Sequence, residues 1–125
     1  MEEFYSDVAP EQRAHWVRKH RHSALAVFSS PVTHEPWKHM PATYLVCETD
    51  TMLPVPLQER MAQTLGPRTT VVRVAASHFP YASVPNRVAE AAIGAALEGM
   101  RAIRGDDAVA APAQEGEASL AVAKL

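Results

Sequence analysis

The sequence predicts an α/β fold in which two parallel strands are joined by a helix. Residues 43–47 end in an unbroken apolar run of strand length, and residues 69–75 are rich in β-branched side chains. Between them, residues 55–65 have the apolar spacing of an amphipathic helix that ends at Gly66-Pro67. A strand, a helix and a strand in this order form a βαβ unit, so we expect the two strands to be parallel.

Length, charge and cysteine content bound the classes of protein that this sequence can encode. The chain has 125 residues, the size of one small domain, and a net charge of −2. Because it has no extended basic stripe, nucleic acid is not an expected partner. One cysteine excludes an intrachain disulfide framework, and no apolar run reaches the roughly 18 residues that span a bilayer. The acidic N-terminus has no secretory apolar core. We therefore expect a cytoplasmic protein that does not enter membranes.

Residues 1–42 are predicted to form a helical segment followed by a connector. Pro10 and the acid after it are a typical helix start, and apolar residues continue to about Phe28. A basic cluster at residues 18–22 interrupts the apolar pattern, so we expect two short helices or one kinked helix. Three prolines within residues 29–42 limit the connector to at most one helical turn. Four large side chains of this part are expected to pack in a core: Trp16, Phe28, Trp37 and Met40.

The rest of the chain is predicted to contain two helices and a tail. In the helix at residues 55–65, the expected packed face is Leu57, Met61 and Leu65, with Gln58, Glu59 and Arg60 pointing elsewhere. Residues 76–84 follow the second strand as a loop, and Pro85 opens a final helix that ends near Arg104. Residues 105–125 are rich in alanine and glutamate and lack aromatic residues, which predicts a disordered tail. The expected units are therefore residues 1–42, 43–104 and 105–125.

Two polar residues stand at matching places after the predicted strands. Asp50 follows the first strand and His78 follows the second. Because the carboxyl ends of neighbouring parallel strands meet at one edge of a sheet, we expect both side chains there. A carboxylate that accepts from one imidazole nitrogen fixes the tautomer and leaves the other nitrogen free as a general base. From spacing alone, the simpler interpretation is favoured for both: Asp50 would cap the following helix, and His78 would be an ordinary loop histidine.

The segments around these two residues resemble those of the α/β-hydrolases. Residues 47–54 (Cys-Glu-Thr-Asp-Thr-Met-Leu-Pro) are similar to the family's strand, acid and proline segment. Residues 76–81 (Ala-Ser-His-Phe-Pro-Tyr), with Ser-Val-Pro-Asn-Arg-Val-Ala-Glu soon after, are similar to its catalytic-histidine loop and last helix. Residues 4–38 resemble the end of a helical cap. The resemblance covers residues 4–104 and points to the small, cofactor-free branch of plant-type methyl-ester esterases and hydroxynitrile lyases, with its microbial relatives.

This resemblance implies a catalytic role for each of the two polar residues. Asp50 would be the acid and His78 the base of a Ser-His-Asp triad acting on a small-molecule ester, with no cofactor and no metal. Many members have glycine where this chain has Cys47 and Ser77. The Gly-x-Ser-x-Gly nucleophile elbow does not occur in the 125 residues. The implied structure is a partial α/β-hydrolase fold: two parallel strands, flanking helices and a helical cap remnant. Such a truncated chain would be inactive alone, and an upstream half would supply the serine.

A second interpretation is a non-catalytic interaction or accessory protein, for example one serving a biosynthetic pathway. A two-stranded sheet is marginally stable without neighbours. The first strand would expose an unpaired edge, which favours pairing with a partner or self-association.

Other candidate site residues have simpler interpretations. His15, His20, His22, His34 and His39 lack i, i+4 spacing and a supporting cluster of acids or cysteines, so we expect solvated surface histidines rather than a metal site. Cys47 lies inside a buried strand and is expected to be a core residue. Ser77 adjoins His78, but side chains of neighbouring residues diverge, so it is a poor candidate nucleophile.

Overall fold

The computed structural model of the protein describes residues 2–105, so the predicted tail from residue 106 onward lies outside the described residues. The helices are α1 (Pro10–Lys19), α2 (Val55–Thr64), α3 (Pro80–Ser83) and α4 (Pro85–Arg104), and the strands are β1 (Ala42–Cys47) and β2 (Thr69–Val74). Short 3₁₀ turns cover Glu2–Tyr5, Leu25–Phe28 and Pro36–Lys38. None of the helices within these residues is long and apolar enough to cross a membrane.

The predicted parallel βαβ unit is confirmed. β1 and β2 pair in parallel, from Ala42 opposite Thr69 to Cys47 opposite Val74. α2 and α4 both contact β1, and α2 also contacts β2. Successive side chains of a strand point to opposite faces of the sheet. Tyr44 of β1 is on the face that α2 covers, since its hydroxyl lies 3.9 Å from the sulfur of Met61 in α2. The result is a two-stranded sheet with helices on its faces.

The core lies at the carboxyl end of this sheet. Burial along β1 rises from half-buried at Ala42 to buried at Val46 and Cys47, and in β2 Val74 is the buried residue. Cys47, Val74 and Ala76 form one apolar cluster, with Leu45 and Val84 packed against it. The loops that follow β1 and β2 therefore start from the buried end of the sheet.

The N-terminal part differs in detail from the prediction. α1 ends at Lys19, and Leu25–Phe28 make a single 3₁₀ turn, so one long kinked helix is wrong and the second short helix is one turn. Phe28 is 78% exposed and Met40 49% exposed, which corrects their assignment to a core. Within residues 2–105, little apolar surface reaches this part of the chain. Trp16 does pack as expected, because it stacks on Tyr5 with the ring centroids 6.4 Å apart.

The orientation of α2 is the clearest correction. Leu57 and Met61, expected on the packed face, are 36% and 42% exposed, whereas Gln58 is 2% exposed. Gln58 is buried because its amide forms hydrogen bonds with the backbone at the end of β1. A count of apolar side chains along α2 cannot detect that preference, since hydrogen bonding and not hydrophobicity decides it.

Two loops carry more structure than the sequence predicted. The loop at 76–84 includes the helical turn α3, which begins at a proline as helices often do. The lead-in before α1 contains a 3₁₀ turn, and its Tyr5 and Val8 are 2% and 3% exposed. The lead-in is therefore a packed part of the fold and lies against the residues that follow β2.

Candidate active site

Asp50 and His78 meet at the carboxyl edge of the sheet. His78 Nδ1 lies 2.8 Å from Asp50 Oδ2, although 28 residues separate them in sequence. The Asp50 side chain is 3% exposed and that of His78 is 29% exposed. The structure therefore brings both sequence-predicted site residues together, with the acid buried behind the imidazole and the imidazole reaching solvent.

The acid is held by a tight turn after β1. Asp50 Oδ1 accepts hydrogen bonds from the backbone N–H groups of Met52 at 2.8 Å and Leu53 at 3.0 Å. This local pattern is typical of aspartate at turns. The residue before α2 is Pro54, and the start of α2 has no side-chain cap. Asp50 thus uses one oxygen for the turn and the other for the imidazole, so it does not cap α2.

The environment of Asp50 favours its charged form. Burial by itself would raise the pKa of Asp50, but the Leu53 N–H, His78 and the Met52 N–H outweigh it and lower that pKa below its ordinary value. An ionised carboxylate facing Nδ1 stabilises a proton on that nitrogen. The opposite ring nitrogen, Nε2, is then the one able to accept a proton from a substrate or nucleophile.

Acidification should weaken the fold through this carboxylate. The pKa of Asp50 is lower in the folded protein than its ordinary value of 3.8, which applies to the unfolded chain. The carboxylate therefore contributes its full stability above that ordinary pKa, and the contribution is lost as the pH falls through the folded pKa. Urea unfolding between about pH 6 and about pH 3 is expected to show this loss in the free energy of unfolding. Asp50→Asn should make the free energy of unfolding less dependent on pH. Glu48→Gln, which replaces an exposed acid nearby, should leave that dependence unchanged. An equally steep profile in Asp50→Asn would contradict the assignment.

The histidine loop is held from the other side by the N-terminal lead-in. Asp7 Oδ2 accepts from the backbone N–H of Ser77 at 2.8 Å and from the Ser83 hydroxyl at 2.6 Å. The N–H of Phe79 donates to the carbonyl oxygen of Phe4 at 3.3 Å. These bonds join residues 70 to 76 positions apart, and those of Ser77 and Phe79 lie on either side of His78. Sequence reasoning missed Asp7, because no local pattern signals a partner at that distance along the chain.

Aromatic rings surround the imidazole of His78. The ring of Phe4 lies 5.1 Å from it and that of Phe79 5.0 Å, measured between centroids. His20 stacks on Phe4 and contacts Phe79, so it is half-buried, unlike the four exposed histidines at positions 15, 22, 34 and 39. The expectation of a solvated His20 is therefore wrong. The imidazole of His78 thus faces apolar ring surface on the side of Phe4 and Phe79.

The alternative nucleophiles are not available for chemistry. Ser77 is fully buried, its oxygen accepts from the Ser6 hydroxyl at 2.9 Å, and it donates to the Glu3 carbonyl at 3.2 Å. Burial, with the nearby Asp50 charge, raises the pKa of Cys47 to about 11, so its thiol stays protonated and unreactive. Among residues 2–105, no group of three or more histidine, cysteine or acidic side chains is placed to hold a metal ion.

Comparison with known proteins identifies the family. The family model described as "Alpha/beta hydrolase family" matches residues 1–91. The chain belongs to the alpha/beta hydrolase family. Asp50 and His78 both lie inside the matched residues, as do both strands of the sheet. The α/β fold predicted from the sequence is thereby confirmed.

A curated relative supports the same assignment. The alpha/beta hydrolase nvfD of Aspergillus novofumigatus (strain IBT 16806) is 36% identical to this chain over 77 residues, which are 59% of this chain and 31% of that protein. The chain therefore spans about a third of the length of this alpha/beta hydrolase. No solved structure matches the chain significantly.

Proposed function

We propose that this chain carries the acid and the base of a carboxylic-ester hydrolase, with Asp50 as the acid and His78 as the base. The observation that supports it most directly is the 2.8 Å contact between Asp50 Oδ2 and His78 Nδ1 at the carboxyl edge of the sheet. Alpha/beta hydrolases carry their triad in the chain order serine, acid, histidine. Here the acid precedes the histidine, and each follows a strand, in agreement with that order.

The proposed chemistry assigns one step to each side chain. Asp50 keeps a proton on Nδ1, so Nε2 can remove the proton of a serine hydroxyl as it attacks the ester carbonyl. His78 then returns that proton to the departing alcohol, and water repeats the sequence to release the acid. The serine lies outside residues 1–125, because these residues contain no Gly-x-Ser-x-Gly elbow. We therefore propose that this chain alone does not turn over esters.

The branch and substrate class are also part of the proposal. The apolar rings of Phe4 and Phe79 beside His78 suit an ester with an apolar or aromatic group near the carbonyl. This agrees with the resemblance to the small, cofactor-free esterase and hydroxynitrile lyase branch.

The test compares the 125-residue chain with the polypeptide translated from the reading frame extended upstream of the Met1 codon. Hydrolysis of p-nitrophenyl acetate and labelling by a fluorophosphonate, which reacts with activated serines, are measured for both. We expect turnover and labelling for the extended polypeptide and neither for the shorter chain. Turnover by the shorter chain that persists in His78→Ala would contradict the proposal. An extended polypeptide that contains the elbow but neither labels nor hydrolyses would contradict it as well.

We propose self-association as a second candidate function, favoured by the open edge of the sheet. Within residues 2–105, β1 has β2 as its one neighbouring strand. The N–H groups of Ala42 and Glu48 donate toward β2, so the backbone groups of Thr43 and Leu45, which alternate with them, point away from it. An edge of this kind pairs readily with a second copy. Light scattering coupled to size exclusion is expected to show a dimer whose fraction rises with concentration, and a monomer at all concentrations would exclude it.

A further inference from the structure

Gln58 is a buried polar side chain beside the turn at residues 47–53 that carries Asp50 (the acid turn), and its amide makes three hydrogen bonds. It lies in α2 and is 2% exposed. Its Oε1 accepts from the backbone N–H of Cys47 at 2.8 Å. Its Nε2 donates to the carbonyl oxygens of Cys47 at 2.9 Å and Leu53 at 2.7 Å. An amide that meets three backbone groups inside a core is costly to bury unless each bond forms, so its geometry is closely specified.

The two bonds to Cys47 take the place of bonds to a further strand on that side of β1, which residues 2–105 do not contain. The N–H groups of Ala42 and Glu48 in and after β1 donate toward β2, so the alternating residue Cys47 directs its N–H and C=O to the opposite edge. There the side-chain amide of Gln58 accepts from the N–H and donates to the C=O, as the C=O and N–H of one residue in an antiparallel neighbouring strand would. Gln58 thus ends strand pairing at the residue where the acid turn begins.

The third hydrogen bond of Gln58 holds the C-terminal end of the same turn, at Leu53. Leu53, whose carbonyl accepts from Gln58, also donates its N–H to Asp50 Oδ1. The turn from Cys47 to Leu53 is therefore held at both ends by one side chain, with Asp50 between them. A displacement of either end would move Oδ2 of Asp50 relative to His78, since the turn is short and its ends define its shape.

We propose that Gln58 is a positioning residue for Asp50: it fixes the turn so that the carboxylate meets Nδ1 of His78 and sets its tautomer. This inference rests on the proposed function and extends it to a residue that does not contact the imidazole. Neither glutamate nor methionine can replace it. Ionised glutamate keeps the acceptor for the Cys47 N–H and loses both donors, and methionine loses all three bonds.

The test reads the tautomer of His78 in the 125-residue chain. ¹⁵N chemical shifts of the imidazole, at a pH where it is neutral, give the ratio of the Nδ1–H to the Nε2–H form. Free histidine favours Nε2–H, so a predominant Nδ1–H form in the unmodified protein reports the bond to Asp50. Gln58→Glu and Gln58→Met are expected to lower the ratio by about threefold or more. Gln63→Glu, the same change at an exposed position of α2, is the matched control and should leave it unchanged.

The possible outcomes distinguish the positioning role of Gln58 from the proposed roles of Asp50 and His78. A lowered ratio in either folded Gln58 variant, with an unchanged ratio in Gln63→Glu, supports the positioning role. Ratios equal to that of the unmodified protein in both Gln58 variants overturn it and leave the Asp50–His78 pair intact. Loss of cooperative urea unfolding in both variants assigns Gln58 to general stability and overturns it too. An unmodified protein without the Nδ1–H form would overturn the proposed function itself.

Discussion

Replacing His78 by alanine is expected to lower kcat/KM for an activated ester by about 10⁴-fold or more in the upstream-extended polypeptide that we propose carries the serine elbow. The imidazole carries the proton in both halves of the proposed reaction, so no other group near Asp50 can substitute for it. The free energy of unfolding should fall by about 1–3 kcal/mol, because removal of the imidazole leaves Oδ2 of the buried Asp50 without its partner.

The measurement is initial-rate hydrolysis of p-nitrophenyl acetate, with urea unfolding of the same samples. His22→Ala is the matched control, because His22 is an exposed histidine in the segment after α1. It should keep full activity. If His78→Ala retained more than about a tenth of the activity, the base would have to be another residue.

Replacing Asp50 by asparagine is expected to lower kcat by about 10⁴-fold at neutral pH while leaving KM nearly unchanged. Asparagine keeps an oxygen for the N–H groups of Met52 and Leu53, so the turn can persist. Its amide nitrogen, however, would face Nδ1 of His78 and donate to it. The imidazole proton then moves to Nε2, which is the tautomer that cannot accept the proton of a nucleophile.

The control for this substitution is Glu48→Gln, which makes the same chemical change at an exposed position two residues away. Its activity should match that of the unmodified polypeptide. Steady-state kinetics across the pH range separates kcat from KM, and ¹⁵N shifts of His78 report the tautomer directly. An Asp50→Asn protein that keeps both its activity and the Nδ1–H form would exclude Asp50 as the orienting acid.

The elements of the fold followed largely from local patterns. The β-branched run at residues 69–75 and the apolar run at 43–47 became β2 and β1, within one residue at their ends. Pro85 and Gly105 bound α4 as helix signals predict, and Gly105 takes a left-handed conformation with φ of 74°. These features depend on backbone preference and on neighbours within a few residues, so sequence pattern reports them well.

The candidate site could be predicted only in outline. Parallel pairing placed Asp50 and His78 at one edge, but the hydrogen bonds that support them come from distant positions. Asp7 reaches the histidine loop from 70 residues away, and Gln58 reaches the acid turn from within a helix whose apolar spacing pointed another face inward. Both are polar side chains whose roles depend on a partner in space rather than on a neighbour in sequence.

The amino-acid sequence by itself determined the βαβ order, the bounds of β1, β2, α2 and α4 to within about a residue, and the placement of an acid and a histidine just after the two strands. Only the tertiary structure decided that Asp50 and His78 touch, that Gln58 rather than Leu57 is buried, and that the N-terminal lead-in holds the histidine loop. The physical reason is that periodicity and propensity act over a turn or a strand, whereas hydrogen-bond satisfaction and packing depend on which distant surfaces meet.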